Sequence, residues 1–119
     1  MNRRSKGAFF EDLACSYLQK KGYKILDRNV YIMRKEMDIV ALDSRTVVFV
    51  EVKGRRSRRF GMPSEAVNGK KRQHLIRVAN AYLERMNLWD RSCRFDVVCV
   101  KIDSGERPEF EHIENAFEA

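Results

Sequence analysis

The apolar residues of the chain recur with helical spacing in two segments. In residues 7–22, GAFFEDLACSYLQKKG, one helical face is formed by Phe10, Leu13, Ala14, Tyr17 and Leu18. Gly22 follows where a helix C-terminus favours a left-handed residue. Residues 70–86, KKRQHLIRVANAYLERM, repeat the pattern after the chain breakers Gly61 and Pro63. The spacing therefore predicts two amphipathic helices.

The segments between and after these helices have the pattern of strands. Residues 23–32 predict a strand or an irregular extended segment, and residues 37–53, MDIVALDSRTVVFVEVK, predict two strands joined by a tight turn. Residues 94–102 predict a further buried strand, and residues 109–113 a short edge strand before a ragged acidic tail from about residue 114. This order predicts one α/β domain over residues 1–119, with a central sheet that helices can cover on both faces.

The predicted hairpin places charge inside an apolar strand. Side chains alternate along a strand, so Glu51 and Lys53 share one face. Asp38 joins that face if Leu42 pairs with Val47 around a four-residue loop, and a two-residue loop has the same effect. An odd loop or a bulge would reverse it. The simplest alternative is a surface ion pair at the end of an edge strand, worth about 0–1 kcal/mol.

Composition limits the class of protein. With 119 residues, 44% hydrophobic and 34% charged, the chain is long enough for one domain with a real core. No apolar stretch approaches the ~20 residues that a membrane helix needs. The N-terminal residues 1–14 become acidic too early for a secretory signal, so we expect a cytoplasmic protein without a membrane partner.

The sulfur and imidazole side chains lack metal-binding spacing. Cys15, Cys93 and Cys99 are odd in number and contain no C-x-x-C pair, which predicts reduced, packed thiols. His74 and His112 are far from each other and from the cysteines in the sequence. A metal site in this chain would therefore need oxygen ligands.

Positive charge is concentrated in one part of the chain. The net charge is +7, but residues 1–101 hold 23 basic and 11 acidic side chains. Five basic residues fall within seven positions: Lys53, Arg55, Arg56, Arg58 and Arg59. Such a field favours a polyanion, and nucleic acid is the leading candidate. A solvated basic loop is the alternative, and a phospholipid surface is a weaker one because no amphipathic basic helix accompanies the run.

Together, these motifs resemble a known bacterial family. Asp38, a short turn and then Glu51-Val52-Lys53 have the spacing of the PD-(D/E)XK nucleases. The segments GAFFEDLACSYLQKKGY, KEMDIVA, FVEVKGR, FGMPSEAV and RFDVVCV are similar to the YraN-like family of predicted nucleases, which is related to archaeal Holliday-junction resolvases. One departure is Lys35, which stands where that branch usually has glycine.

The resemblance implies a restriction-endonuclease-like fold, with a mixed central sheet flanked by helices on both faces. It implies a metal-dependent endonuclease acting on DNA, including branched intermediates of recombination or repair, and a homodimer is compatible with symmetric cutting. The catalytic residues that it implies are Glu11, Asp38, Glu51, Lys53 and Gln73. The metal, Mg²⁺ or Mn²⁺, would be bound by Asp38, Glu51 and Glu11.

The chemistry of these residue types agrees with that role. Hard cations such as Mg²⁺ bind oxygen, so Asp38, Glu51 and the Val52 carbonyl form a plausible cage, and Lys53 could orient a water. Glu11 borders the apolar stripe of its helix and needs a partner. Seven basic side chains would hold the phosphate backbone without reading sequence: Arg55, Arg56, Arg58, Arg59, Lys70, Lys71 and Arg72.

Two other functions fit the same residues. The chain could be a non-catalytic nucleic-acid-binding protein that keeps the nuclease fold, or an assembly factor whose basic face docks an acidic protein. Among the remaining residues, we expect Asp96 to form a structural ion pair or to cap a turn. We expect Trp89 and Tyr82 to be packing residues rather than base-stacking platforms.

Overall fold

The structure of the protein is a computed structural model, which describes residues 6–55, 69–102 and 107–117. Two helices and five strands follow in the order α1, β1, β2, β3, α2, β4, β5. The helices are α1 (Lys6–Lys20) and α2 (Gly69–Arg85). The strands are β1 (Lys24–Ile32), β2 (Lys35–Asp43), β3 (Thr46–Arg55), β4 (Cys93–Lys101) and β5 (Glu109–Phe117). No helix in these ranges is long and apolar enough to cross a membrane.

The strands form one mixed sheet in the order β1-β2-β3-β4-β5. β3 and β4 are parallel, and the other neighbours are antiparallel. The parallel pair requires a crossover connection, and α2 lies in that connection. The predicted α/β class and mixed sheet are confirmed, and the arrangement is consistent with a restriction-endonuclease-like fold.

Alternation along the central strands produces two separate cores. Val48 and Val50 pack with α1 residues such as Ala14 and Leu18, whereas Val47 and Phe49 pack in the core that contains the apolar face of α2. Each helix thus covers its own face of the sheet, as the period-two and helical patterns predicted.

Three details of the packing predictions were wrong. β5 continues to Phe117, whose ring stacks on Phe95 at 4.7 Å, so the chain is still a strand where a ragged tail was predicted. Trp89 is 70% exposed, in contrast to the buried Tyr82. All three cysteines are free, but Cys93 is exposed. The exposure of Trp89 could not be predicted, because a single aromatic residue in a polar segment does not show whether a distant strand covers it.

A buried ionic cluster ties β5 to the rest of the sheet. Asp96 on β4 receives two hydrogen bonds from Arg94, at 2.9 and 3.0 Å, and one from the Asn115 backbone N–H at 3.0 Å. His112 Nε2 lies 2.7 Å from Asp96, and His112 Nδ1 lies 2.8 Å from the Lys21 ammonium. Because an ammonium can only donate, Nδ1 accepts and Nε2 donates to Asp96. The predicted structural role of Asp96 is confirmed.

Gly54 sets how closely α1 approaches the end of β3. A Cβ atom at this position would overlap the ring of Phe10, which is buried on α1 beside Glu11. We expect Gly54→Ala to lower the free energy of unfolding by about 1–3 kcal/mol, because the buried ring of Phe10 would have to shift. Urea unfolding measures this change.

Gly69 provides the matched control. A Cβ atom there would meet nothing within 4 Å, and the residue begins α2. Gly69→Ala should leave stability within about 0.5 kcal/mol of the wild type, since surface substitutions rarely do more. Equal stability of the Gly54→Ala and Gly69→Ala variants would contradict the close approach of α1 to β3.

Candidate active site

The β2–β3 hairpin has the register that brings the predicted acids together. Leu42 pairs with Val47, and Ile39 pairs with Val50, where the ladder between β2 and β3 ends. One further step in this register places Asp38 opposite Glu51. The sequence prediction that these two residues meet is therefore confirmed at the level of strand pairing.

Beyond the Ile39–Val50 pair, the Asp38 side chain takes the place of a backbone hydrogen-bond acceptor from β2. Its Oδ2 accepts the backbone N–H of Val52 at 2.8 Å. In an extended strand the N–H and C=O of one residue point towards the same neighbouring strand, so the Val52 carbonyl also points to the β2 side. The carboxylate and this carbonyl thus lie at the position where β2 and β3 stop pairing.

Glu51 is buried, and two lysines approach it. Its exposed fraction is 5%, which makes it one of few acidic side chains in the interior of the described chain. Lys53 Nζ lies 3.5 Å from Glu51 Oε2, and the ammonium of Lys71 on α2 contacts the same oxygen. The Glu51–Lys53 pair is therefore not the exposed surface pair of the simplest alternative.

Burial changes the acid–base properties of this group. Burial, reinforced by the negative charge of Glu51, raises the pKa of Asp38 to about 8, although the Val52 N–H opposes the shift. Burial lowers the pKa of Lys71, but its hydrogen bond to Glu51 and the Glu51 charge raise that pKa on balance. The folded protein thus disfavours a negative charge on Asp38 next to that of Glu51, although Lys53 and Lys71 lie close to Glu51.

Glu11 lies on α1 and is held next to Arg28 of β1. Its exposed fraction is 7%, and Arg28 Nη2 lies 3.7 Å from Glu11 Oε1. Within the described residues, no hydrogen bond reaches that oxygen, so a buried carboxylate oxygen is left without a donor. Burial raises the pKa of Glu11, and the charge of Glu36 acts in the same direction. The prediction that this half-hidden acid needs a partner is confirmed by Arg28.

Asp38 and Glu51 lie in the wall of an open cleft of about 490 Å³ between the β1–β2 hairpin and the first turns of α2. Four basic side chains and three acidic ones line the same cleft. The residues that line it and that the sequence did not single out as site residues are Tyr31, Arg34, Lys35, Glu36, His74 and Leu75. His74 could have been found, because it lies three and four positions after Lys71 and Lys70 and thus on one helical face.

The other predicted residues are spread more widely. Lys70 and Lys71 line the cleft. Arg55 ends β3 and is partly buried, and Arg72 is exposed with its guanidinium 5.8 Å from the centre of the Phe117 ring. Gln73 is exposed and outside the cleft lining. The remaining predicted phosphate contacts lie outside the described residues: Arg56, Arg58 and Arg59.

The donor set at the point where β2 and β3 stop pairing suits a hard divalent cation. It combines two acidic side chains with a backbone carbonyl, and Mg²⁺ is bound by such oxygens. The raised pKa of Asp38 shows that its ionised form is disfavoured, and one buried oxygen of Glu11 has no hydrogen-bond donor among the described residues, so a cation would stabilise both carboxylates. In the parts of the chain that the structure describes, no three His, Cys, Asp or Glu side chains form a ready-made metal cluster, although the charge of Glu11 contributes to the raised pKa of Asp38.

A comparison with protein families decides the membership of the chain. Residues 10–100 match the model of "Uncharacterised protein family UPF0102". The chain belongs to the UPF0102 family. The matched residues contain the four candidate site residues of α1, β2 and β3, namely Glu11, Asp38, Glu51 and Lys53.

UPF0102 proteins of several bacteria are similar to the chain over most of its length. The protein of Geobacter sulfurreducens is 46% identical over 108 residues, which are 91% of this chain and 84% of its own. That of Moorella thermoacetica is 47% identical over 107 residues, 90% and 89% of the two chains. That of Pseudomonas paraeruginosa is 43% identical over 120 residues, 99% and 96% of the two chains.

Proposed function

We propose that this UPF0102 chain is a metal-dependent endonuclease of the PD-(D/E)XK type that hydrolyses phosphodiester bonds of DNA. The observation that carries the proposal is that Asp38 and Glu51 line one cleft together with four basic side chains, while Lys53 Nζ lies 3.5 Å from Glu51 Oε2. A structural ion pair would not need a second carboxyl group whose pKa burial raises to about 8.

Each residue has a separate role in this proposal. Asp38, Glu51 and the Val52 carbonyl would hold Mg²⁺ or Mn²⁺, with Glu11 on the α1 side. A bound ion of this kind offsets phosphate charge and makes water a better nucleophile at neutral pH. Lys53 orients the attacking water and stabilises the negative charge that develops on the phosphate.

The basic residues of the cleft supply the substrate contacts. Arg34 and Lys35 come from the β1–β2 hairpin, and Lys70 and Lys71 come from α2 on the other side. Phosphate contacts of this kind position the nucleic acid but carry no base information, so we infer weak or no sequence preference.

A cleavage screen tests the proposal. Purified wild-type protein and Asp38→Asn are incubated with Mg²⁺ or Mn²⁺ and labelled branched, flapped, nicked, single-stranded and linear duplex DNA. An asparagine side chain can still accept the Val52 N–H, so the variant should fold. We expect metal-dependent cleavage of at least one substrate by the wild type and none by the variant. Cleavage by both proteins, or by neither, would contradict the proposal.

The salt dependence of binding tests the cleft as the DNA-contacting surface. Replacing Arg34, Lys35 and Lys70 together by Ala should weaken DNA binding and flatten the slope of log K against log salt by up to about 3, because fewer counterions are released. The control replaces three exposed arginines outside the cleft lining, which changes the net charge equally: Arg45, Arg85 and Arg91. Equal slopes for the two triple variants would exclude the cleft from the interface.

One contact favours a second function. Lys71 lies on the Glu51 carboxylate, and an ammonium in that position can satisfy the buried acid without a metal ion. A chain in which Lys71 stays there would be a non-catalytic nucleic-acid-binding protein with a nuclease fold. In the nuclease proposal, Asp38 and Glu51 would hold the cation, and Lys71 would leave Glu51 to contact phosphate. The affinity of Lys71→Met for a divalent metal distinguishes the two functions. Removal of the competing ammonium tightens divalent binding only if Glu51 is a metal ligand.

A further inference from the structure

An exposed aromatic ring lies in the wall of the basic cleft. Tyr31 is 68% exposed although it lies within β1, and it lines the same cleft as Asp38 and Glu51. The aromatic pairs found among the described residues do not include it. The ring is therefore presented to whatever occupies the cleft.

The backbone fixes the direction in which the Tyr31 side chain leaves β1. Val30 and Ile32, on either side of Tyr31, are both buried in the core that includes α2. Ile32 pairs with Lys35, and the two residues between them, Met33 and Arg34, have φ values of 54° and 63°. Positive φ at both central positions is the geometry of a tight two-residue hairpin turn. Because the backbone at Tyr31 is ordered, only its side-chain torsions lose freedom when the ring binds a ligand.

The chemistry around Tyr31 combines an aromatic face with phosphate-binding charge. Arg34 and Lys35 lie on its own hairpin, and Lys70 lies across the cleft. Aromatic rings beside a positively charged groove are the usual means of binding unpaired bases, because every base has a π-face. In a duplex the faces of internal bases are covered by their neighbours, so this contact is available only to an unpaired or terminal base.

We propose that Tyr31 is a stacking platform for an unpaired nucleotide next to the acidic site, so that the chain prefers single-stranded or unpaired DNA to continuous duplex. This inference rests on the nucleic-acid binding of the proposed function and adds the class of substrate. It does not depend on cleavage, since stacking and phosphate contacts form without reaction.

Binding measurements without added divalent metal test the platform. Fluorescence anisotropy compares a labelled single-stranded 12-mer with its blunt duplex. Tyr31→Ala should bind the single strand about tenfold more weakly with little change for duplex, because one stacked base contributes roughly this factor. Tyr31→Phe keeps the ring and should stay within about twofold of the wild type. The salt slope of Tyr31→Ala should be unchanged, since no charge is removed.

Trp89→Ala is the matched control for loss of an exposed aromatic ring. Trp89 is 70% exposed and lies between α2 and β4, outside the cleft lining. Loss of the Trp89 ring should change neither the affinity for the single strand nor the affinity for the duplex. The inference is overturned if Tyr31→Ala binds single strands as the wild type does, if it weakens both substrates equally, or if Trp89→Ala has the same effect. Failure of the wild type to bind any DNA would overturn the proposed function as well, whereas binding without discrimination would overturn the platform alone.

Discussion

Lys53→Met should lower the cleavage rate by about 10²-fold or more, while the affinity for divalent metal stays equal or becomes tighter. Lys53 lies 3.5 Å from the Glu51 carboxylate, so its removal takes a positive charge away from the two acids. Its proposed action is on the water and phosphate, and that action is lost with the ammonium. Metal titration and single-turnover cleavage measure the two effects separately.

Glu51→Gln is the contrasting variant from the same strand. It keeps the shape of the side chain but removes the charge that the metal needs, so metal affinity and cleavage should fall together. Circular dichroism controls for folding, and DNA binding should persist because the basic cleft residues are unchanged. If Lys53→Met cleaves at the wild-type rate, the catalytic role of this strand is wrong.

Asp96→Asn should produce the largest loss of stability, about 3–5 kcal/mol in the free energy of unfolding at pH 7. Asp96 is buried, and the substitution removes its negative charge. The half-buried Arg94 then loses the carboxylate that accepts two of its hydrogen bonds. The substitution also weakens the bond from His112, which holds β5. Urea unfolding at a single protein concentration measures the change.

Asp43→Asn is the control, because Asp43 also binds Arg94, at 3.1 Å, but its side chain is 38% exposed. An exposed pair contributes less than about 1 kcal/mol, so this variant should remain close to the wild type. Comparable losses for Asp43→Asn and Asp96→Asn would contradict the buried cluster as the anchor of β5.

The effect of Asp96 should depend on pH in one direction. Burial opposes ionisation, but the hydrogen bonds from His112 and Arg94 hold the pKa of Asp96 below its ordinary value. Its stabilisation is therefore complete above the unfolded-state pKa of about 4 and is lost as the pH falls through the lower folded-state pKa. The difference between wild type and Asp96→Asn should narrow below about pH 4. A difference as large at pH 3 as at pH 7 would contradict this origin.

The part of the site that lies on one hairpin could be predicted from the sequence. Alternation fixes which residues of a strand share a face, and a short turn leaves few registers, so the meeting of Asp38 with Glu51 followed from local geometry. The helical border position of Glu11 likewise predicted a partly hidden acid that needs a partner.

The contacts between distant elements could not be predicted in this way. The contact of Lys71 with Glu51 depends on how α2 is rotated against the sheet, which the period of the helix does not specify. The exposure of Tyr31 in the cleft and the continuation of β5 to Phe117 depend on neighbours far along the chain. Apolar patterning identifies a buried face but not the residues that line a gap between two elements.

A calorimetric titration of Mn²⁺ into the wild type and Asp38→Asn, without nucleic acid, tests the central claim most directly. The proposed function requires Asp38 and Glu51 to bind a divalent cation, and the substitution keeps an acceptor for the Val52 N–H while it removes the carboxyl group that can ionise when the cation binds. We predict a saturable binding heat in the wild type that Asp38→Asn abolishes or weakens by at least about tenfold. The same heat in both proteins, or no heat in the wild type, would contradict a metal site at the point where β2 and β3 stop pairing.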